Sequence, residues 1–178
     1  MAAIDTFKGW AETIRQDVDA FKAVLEADAA DRDARKLAAS ALTYLVSRMD
    51  LIPDWNEGIG VLDDVMVLRV CAQLSKGHQR GALPASAESA LERLNGEAAA
   101  ITSYLGAAIY EKLKAYCVQL GEQSVRGRTP AEIVDDEALR AQLYVEIDDE
   151  LKRSVPIVIA DPADADLRLK SYLVQKLQ

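Results

Sequence analysis

Apolar residues recur at intervals of three and four along most of this chain, and that period is the strongest constraint on what it can fold into. Phe7, Trp10, Ile14, Val18, Phe21 and Leu25 fall on one side of a helix, with Lys8, Glu12, Arg15, Asp19 and Lys22 between them. Asp31 is placed to cap a second helix that reaches about Met49, with Leu37, Ala41, Tyr44 and Leu45 on its inward face. Pro53 ends that helix. Ile52 before it is biased to extended geometry, and the turn formers of residues 53–58 reverse the chain. Gly60 then opens a third helix through about Lys76.

Gly77, Gly81 and Pro84 separate an N-terminal section, residues 1–80, from a C-terminal helical section, residues 81–178, in what we expect to be one continuous globular unit. The helical period continues through Leu91, Leu94, Ala98, Ile101, Leu105, Ile109, Leu113, Tyr116 and Leu120, with an interruption expected near Asn95-Gly96. Thr129-Pro130-Ala131-Glu132 joins a capping-box spacing to a proline at the first helical position. Residues 135–150 then form an acidic helix with Ile133, Leu139, Leu143 and Ile147 toward the core. Pro156-Ile157-Val158-Ile159-Ala160 reads as extended chain or a lone buried strand, and Asp161-Pro162 caps a last helix carrying Leu167, Leu169, Leu173, Val174 and Leu177. No strand has an obvious partner, so the expected class is all-α.

Charge and cysteine usage remove several functions. Lys and Arg number 21 against 29 Asp and Glu, a formal charge of −8, so nucleic acid is a poor partner. Cys71 and Cys117 lie in apolar helical surroundings and read as buried thiols of a reducing compartment. No signal sequence opens the chain, and the longest uncharged stretch, Ala98 to Tyr110, is too short to span a bilayer; the expected location is cytoplasmic. His78 is the single histidine, seven residues from Cys71 and too distant along a helix to form a dyad. The chain has no Glu-x-x-His pair, no CxxC, no GxxxxGK[ST] and no GxGxxG, which sets aside di-iron, zinc and nucleotide-phosphate sites of those kinds. Arg126 and Arg128, with Lys152 and Arg153, form two short basic pairs whose default role is to neutralise the chain's own acids; acidic lipids or a partner's carboxylates are the functional alternative.

Residues 41–68 read ALTYLVSRMDLIPDWNEGIGVLDDVMVL. The succession of YLVS, DLIPD, a glycine and LDD resembles the YkvA-like family, a domain of unknown function, over about residues 37–70. The chain departs from that family at Arg48-Met49, where proline and an aliphatic residue are usual, and at Asn56-Glu57-Gly58, which is more polar here. The resemblance implies a helical hairpin in mostly bacterial proteins, sometimes linked to membranes, with no established activity, substrate or cofactor. The expected architecture is thus such a hairpin packed in a multi-helix orthogonal or bundle-like domain.

The motif gathers Asp50, Asp54, Asp63 and Asp64 around one helix reversal. Convergent carboxylates suit a hard cation, so Mg²⁺ or Ca²⁺ and metal-assisted hydrolysis form one reading. Caps and turns also select aspartate, and capping is the stronger expectation. An EF-hand is excluded, because counting from Asp54 the sixth position is Ile59 and the twelfth Val65. Leu51, Ile52 and Trp55 read as a small plug under the loop, or as an exposed tip for a partner, and Tyr44 and Ser47 can bring hydroxyls toward the acids. With no complete nucleophile, base or cofactor set, the leading expectation is a non-enzymatic interaction module of the bacterial cytoplasm that meets a protein partner. Peripheral membrane contact and a homo-oligomer are both compatible with that reading.

Overall fold

A computed structural model describes residues 2–48 and 51–178. The helical period is realised as α1 (Ala3–Trp10), α2 (Ile14–Glu26), α3 (Arg32–Tyr44), α4 (Leu62–Ser75), α5 (Ala85–Leu105), α6 (Ala107–Gln119), α7 (Pro130–Asp135), α8 (Glu137–Arg153) and α9 (Pro162–Leu177). Among the described residues no strand forms, and the lone β-bridge joins Val125 to Arg128. The fold is an all-α, multi-helix, bundle-like assembly. No helix among the described residues is long and apolar enough to cross a membrane.

Helix α4 is the axis of the packing. Twelve of its fourteen residues are buried, from Leu62 to Ser75, because α1, α3, α5 and α6 all lie against it. Such all-round burial explains why its sequence, LDDVMVLRVCAQLS, lacks a polar face. Helix α2 packs on α3 and α5, α7 on α3, and α9 on α1 and α6. The buried apolar cluster accordingly runs from Ile4 to Leu177 and draws on both sections of the chain.

Two helix starts, at Thr129 and Asp161, follow their sequence signals, and Asp136 adds a third cap. Thr129 Oγ1 accepts from the Glu132 amide at 3.2 Å while the Thr129 amide donates to Glu132 Oε2 at 2.8 Å, a complete capping box. Asp136 and Asp161 cap α8 and α9 by accepting from the amides two and three residues ahead. Asp31 departs from its expected role. Its carboxylate accepts from the Gln79 amide at 3.0 Å and its own amide donates to Gln79 O, so it ties the α2–α3 and α4–α5 connections together.

Several boundaries also move. The first amphipathic stretch is broken by a 3₁₀ turn at Ala11–Thr13, and α3 stops at Tyr44, before the expected end at Met49, which lies outside the described residues. The 85–123 stretch breaks at Gly106, not at Asn95-Gly96. Gly106 adopts φ +82°, closing α5 with its amide on Thr102 O and opening α6 with its carbonyl under Tyr110 N. Gly96 stays helical with open space around it. The acidic helix is divided at Asp136. Residues 156–160 are extended without becoming a buried strand: Ile157 and Ile159 lean on the core and Val158 is 75% exposed.

Candidate functional site

The reversal between α3 and α4 is built on one buried hydrogen-bond relay. Tyr44, the last residue of α3, donates its hydroxyl to Asp63 Oδ2 at 2.6 Å, and Asp63 is the second residue of α4. The same Tyr44 oxygen accepts from the Leu51 amide at 3.0 Å, and the Ile52 amide donates to Asp63 Oδ2 at 3.2 Å. A phenol and a carboxyl thus satisfy two loop amides that the burial of Leu51 and Ile52 takes out of water. The pre-proline stretch is held like a strand against two side chains in place of a neighbouring backbone.

Beyond Pro53 the loop closes on itself. Asn56 N and Nδ2 both donate to Pro53 O, Gly60 N donates to Asn56 O, and Leu62 N donates to Ile59 O. Gly60 is required by close approach: a Cβ there would lie 2.6 Å from Asp54 O and 3.0 Å from Asn56 O, both backbone atoms. Ile59 plugs the loop from beneath, and the 156–160 strap crosses it at Gly58, where Val158 O comes within 3.1 Å of a virtual Cβ. Tyr172 of α9 donates to Asn56 Oδ1 at 3.4 Å. Trp55 is the exception in this closed structure. It stands 68% exposed, so the plug consists of Leu51, Ile52 and Ile59, and Trp55 is the projecting tip.

The four aspartates singled out by sequence occupy unequal positions. Asp50 lies outside the described residues. Asp54 is exposed on the loop, its carboxyl raised above the ordinary range by partial desolvation and by Glu150, with Arg48 opposing. Asp63 is fully buried and its carboxyl is pushed up to about 7, chiefly by burial, against the hydrogen bonds from Tyr44 and Ile52. Its Oδ1 has no hydrogen-bond partner among the described residues. Asp64 is buried beside it at the start of α4. Among the described residues no group of three or more His, Cys, Asp or Glu is arranged to hold a metal ion. Of the two hydroxyls, Tyr44 reaches the acids, whereas Ser47 lines a small cavity with Ser40, Thr43 and Tyr116.

The thiols and the histidine are not assembled for catalysis. Cys71 and Cys117 are both buried and free, and burial, then the neighbouring Cys71, raises the Cys117 thiol well above its ordinary value, the opposite of an activated nucleophile. His78 is half-buried in the α4–α5 connection.

A second buried polar cluster was not anticipated. Arg69 of α4 is fully buried with its guanidinium 4.1 Å above the Trp10 ring, 2.8 Å from Glu97 Oε2 through Nε and 3.8 Å from Asp17 Oδ2. Arg93 pairs with both acids, and Thr13 adds a hydroxyl to Asp17 at 3.0 Å. Burial lowers Arg69 to about 10, with Glu97 and Asp17 opposing, so it stays cationic at neutral pH. An arginine set in VMVLRVCA was the available signal; its partners lie 28 and 52 residues away, at Glu97 and Asp17.

Residues 34–69 match a family described as protein of unknown function (DUF1232). That segment comprises α3 from Ala34, the loop and α4 as far as Arg69, the part of the chain that holds the Tyr44–Asp63 relay. No curated protein and no solved structure gives a significant match to the chain.

Proposed function

We propose that this is a YkvA-like, non-enzymatic interaction module of the bacterial cytoplasm, in which the α3–α4 hairpin presents a pre-organised loop to a protein partner, with Trp55 as the anchor. The observation that carries this reading is the contrast within the loop. Both sides are fastened by the Tyr44–Asp63 relay and by backbone bonds, while the largest apolar side chain is turned outward. A rigid backbone lowers the ordering cost of association, and tryptophan is among the residues that most often dominate binding energy. A photo-crosslinking phenylalanine analogue placed at position 55 is expected to give a discrete adduct in cells that the same analogue at exposed Val145 does not. Equal adducts from both sites, or none from position 55, would overturn the reading.

The rival is a Mg²⁺ or Ca²⁺ site on Asp50, Asp54, Asp63 and Asp64, serving metal-assisted hydrolysis. It would require Asp63 to give up a proton and share an oxygen with the cation, against the burial that favours its neutral form. Thermal unfolding of metal-stripped protein against each cation separates the two. A rise in Tm abolished by Asp54→Asn and by Asp63→Asn supports the cation; an unchanged Tm supports the module.

A further inference from the structure

Beside the loop, an open cleft of about 600 Å³ runs between the end of α3, the 124–128 turn and the end of α8. Arg48, Arg126 and Arg153 line it together with Ser47 and Ser124. Three guanidiniums on one cleft of a chain with net charge −8 need an explanation, and their own acids supply only part of it. Glu146 is committed to Arg128, whose two terminal nitrogens grip both carboxylate oxygens. Glu150 is left to serve Arg48 at 3.5 Å and Arg126 at 3.4 Å, both longer than a good charge-assisted hydrogen bond, and Arg126 reaches Glu146 only at 3.6 Å. Arg153 has no carboxylate within 4.0 Å among the described residues and donates to the Asp149 carbonyl at 3.3 Å. Asp54 stands within electrostatic reach of Arg48 and Glu150. Among the described residues, Arg48, Arg126 and Arg128 thus draw on two glutamates, with Asp54 nearby, while Arg153 pairs with neither.

Two independent features mark the place as built. Arg126 is, among the described residues, the non-glycine residue with positive φ, at +52°, and with Gly127 at +83° it forms the tight turn bridged by Val125 and Arg128. Asparagine or glycine would occupy that first turn position more easily, so an arginine there is held at a conformational cost, with its guanidinium against Glu146 and Glu150 beside the cleft. Adjoining the cleft through Ser47 and Val125 is a cavity of about 40 Å³, room for a water or two, lined by Ser40, Thr43 and Ser47. Thr43 Oγ1 is buried there without a hydrogen-bond partner among the described residues.

We infer that this cleft binds a phosphate-bearing ligand, its phosphate shared by Arg48, Arg126 and Arg153 and its ester side directed toward the Ser47–Thr43 hydroxyls. A tetrahedral dianion offers enough oxygens for three planar forks, which the single Glu150 carboxylate does not, and arginine suits such shared, bidentate recognition better than lysine. The phosphate belongs either to a soluble monoester or to a lipid headgroup, and the two are separated by experiment.

The test follows the arginine Nε–H signals of the full chain by NMR while inorganic phosphate, then glycerol 3-phosphate, is added against sodium chloride at matched ionic strength. Saturable shifts of Arg126 and Arg153 that chloride does not reproduce are expected. Arg126→Gly, which relieves the turn, and Arg153→Gln, which breaks no ion pair among the described residues, should each weaken binding by about tenfold. Lys152→Gln, outside the cleft lining and paired with Asp148, should leave it unchanged, and Glu150→Gln should tighten it. Sedimentation with phosphatidylcholine vesicles with and without phosphatidic acid decides the source: selective capture of the acidic vesicles, lost in Arg126→Gly, assigns the lipid headgroup, and saturation by glycerol 3-phosphate without such capture assigns the soluble ester. Absence of both responses overturns the site, as does equal affinity in Lys152→Gln, Arg153→Gln and Arg126→Gly. Because Trp55 remains intact in every variant, loss of phosphate binding and loss of the position-55 adduct are independent outcomes.

Discussion

Two buried aspartates, Asp17 under α4 and Asp63 at its start, are both wholly removed from solvent, yet they are held by opposite means. Asp17 is enclosed by Arg69 and Arg93, with Thr13 as a further donor, so its charge is balanced in place. Asp63 is enclosed by a phenol and a backbone amide, with Asp54 as the charge that further raises its carboxyl. Burial raises both acids, but only at Asp17 do cations pull the carboxyl back. The first cluster therefore binds three helices through charge, and the second pins a loop through a carboxyl that burial pushes up to about 7. Removing a partner from the first strands an ion, whereas the second is exposed to pH.

The largest effect is expected from Arg69→Ala. It leaves Asp17 and Glu97 short of a counter-charge and opens a void beneath Trp10, and should cost about 3–5 kcal/mol, read by urea unfolding. A cost below ~1 kcal/mol would mean the cluster is already balanced by Arg93. At Asp63 the folded carboxyl, at about 7, lies above its ordinary unfolded value, so the folded state holds a proton that the unfolded state has released. Stability from this group is thus full at low pH and is lost as pH rises toward about 7, with a slope of up to ~1.4 kcal/mol per pH unit. Asp63→Asn, which keeps an acceptor for Tyr44 and Ile52, should remove that slope while other acids continue to titrate; parallel curves for the two proteins would break the comparison. Tyr44→Phe deletes the donor to Asp63 and the acceptor for the Leu51 amide, and should cost about 1–3 kcal/mol with faster amide exchange at Leu51 and Ile52. Trp55→Ala should change stability by less than ~0.5 kcal/mol, since its ring faces solvent, and a larger loss would place it in the loop's packing.

What sequence alone made legible was mostly local. The helix period, the Thr129 capping box and the Asp161-Pro162 start need only neighbouring residues, and all three are realised. The α3–α4 reversal was legible through the 41–68 segment, which lies inside the 34–69 match to a family of unknown function. Tyr44 and Asp63 were both named, but their spacing could not show that the acid is fully buried against the Tyr44 hydroxyl and the Ile52 amide, because burial is set by the packing of the whole fold. The Arg69 cluster and the arginine cleft were hidden for the same reason. Arg126 with Arg128, and Lys152 with Arg153, were read as two basic pairs expected to neutralise the chain's acids, which holds for Arg126, Arg128 and Lys152 and, among the described residues, fails for Arg153. Asn95-Gly96 misled because an exposed glycine weakens a helix without ending it, while Gly106 ends one by adopting a positive φ.

The central claim is that the acid of the α3–α4 hairpin is a proton-bearing staple for the loop and not an ionised ligand. It is tested most directly by following the carboxyl carbon of Asp63 by NMR from acid to neutral pH in metal-free protein. A midpoint near 7, displaced together with the Leu51 and Ile52 amide signals, is the expected result. A midpoint at or below the ordinary aspartate value of about 4 would contradict it, because an ionised Asp63 in that position would call for a counter-ion.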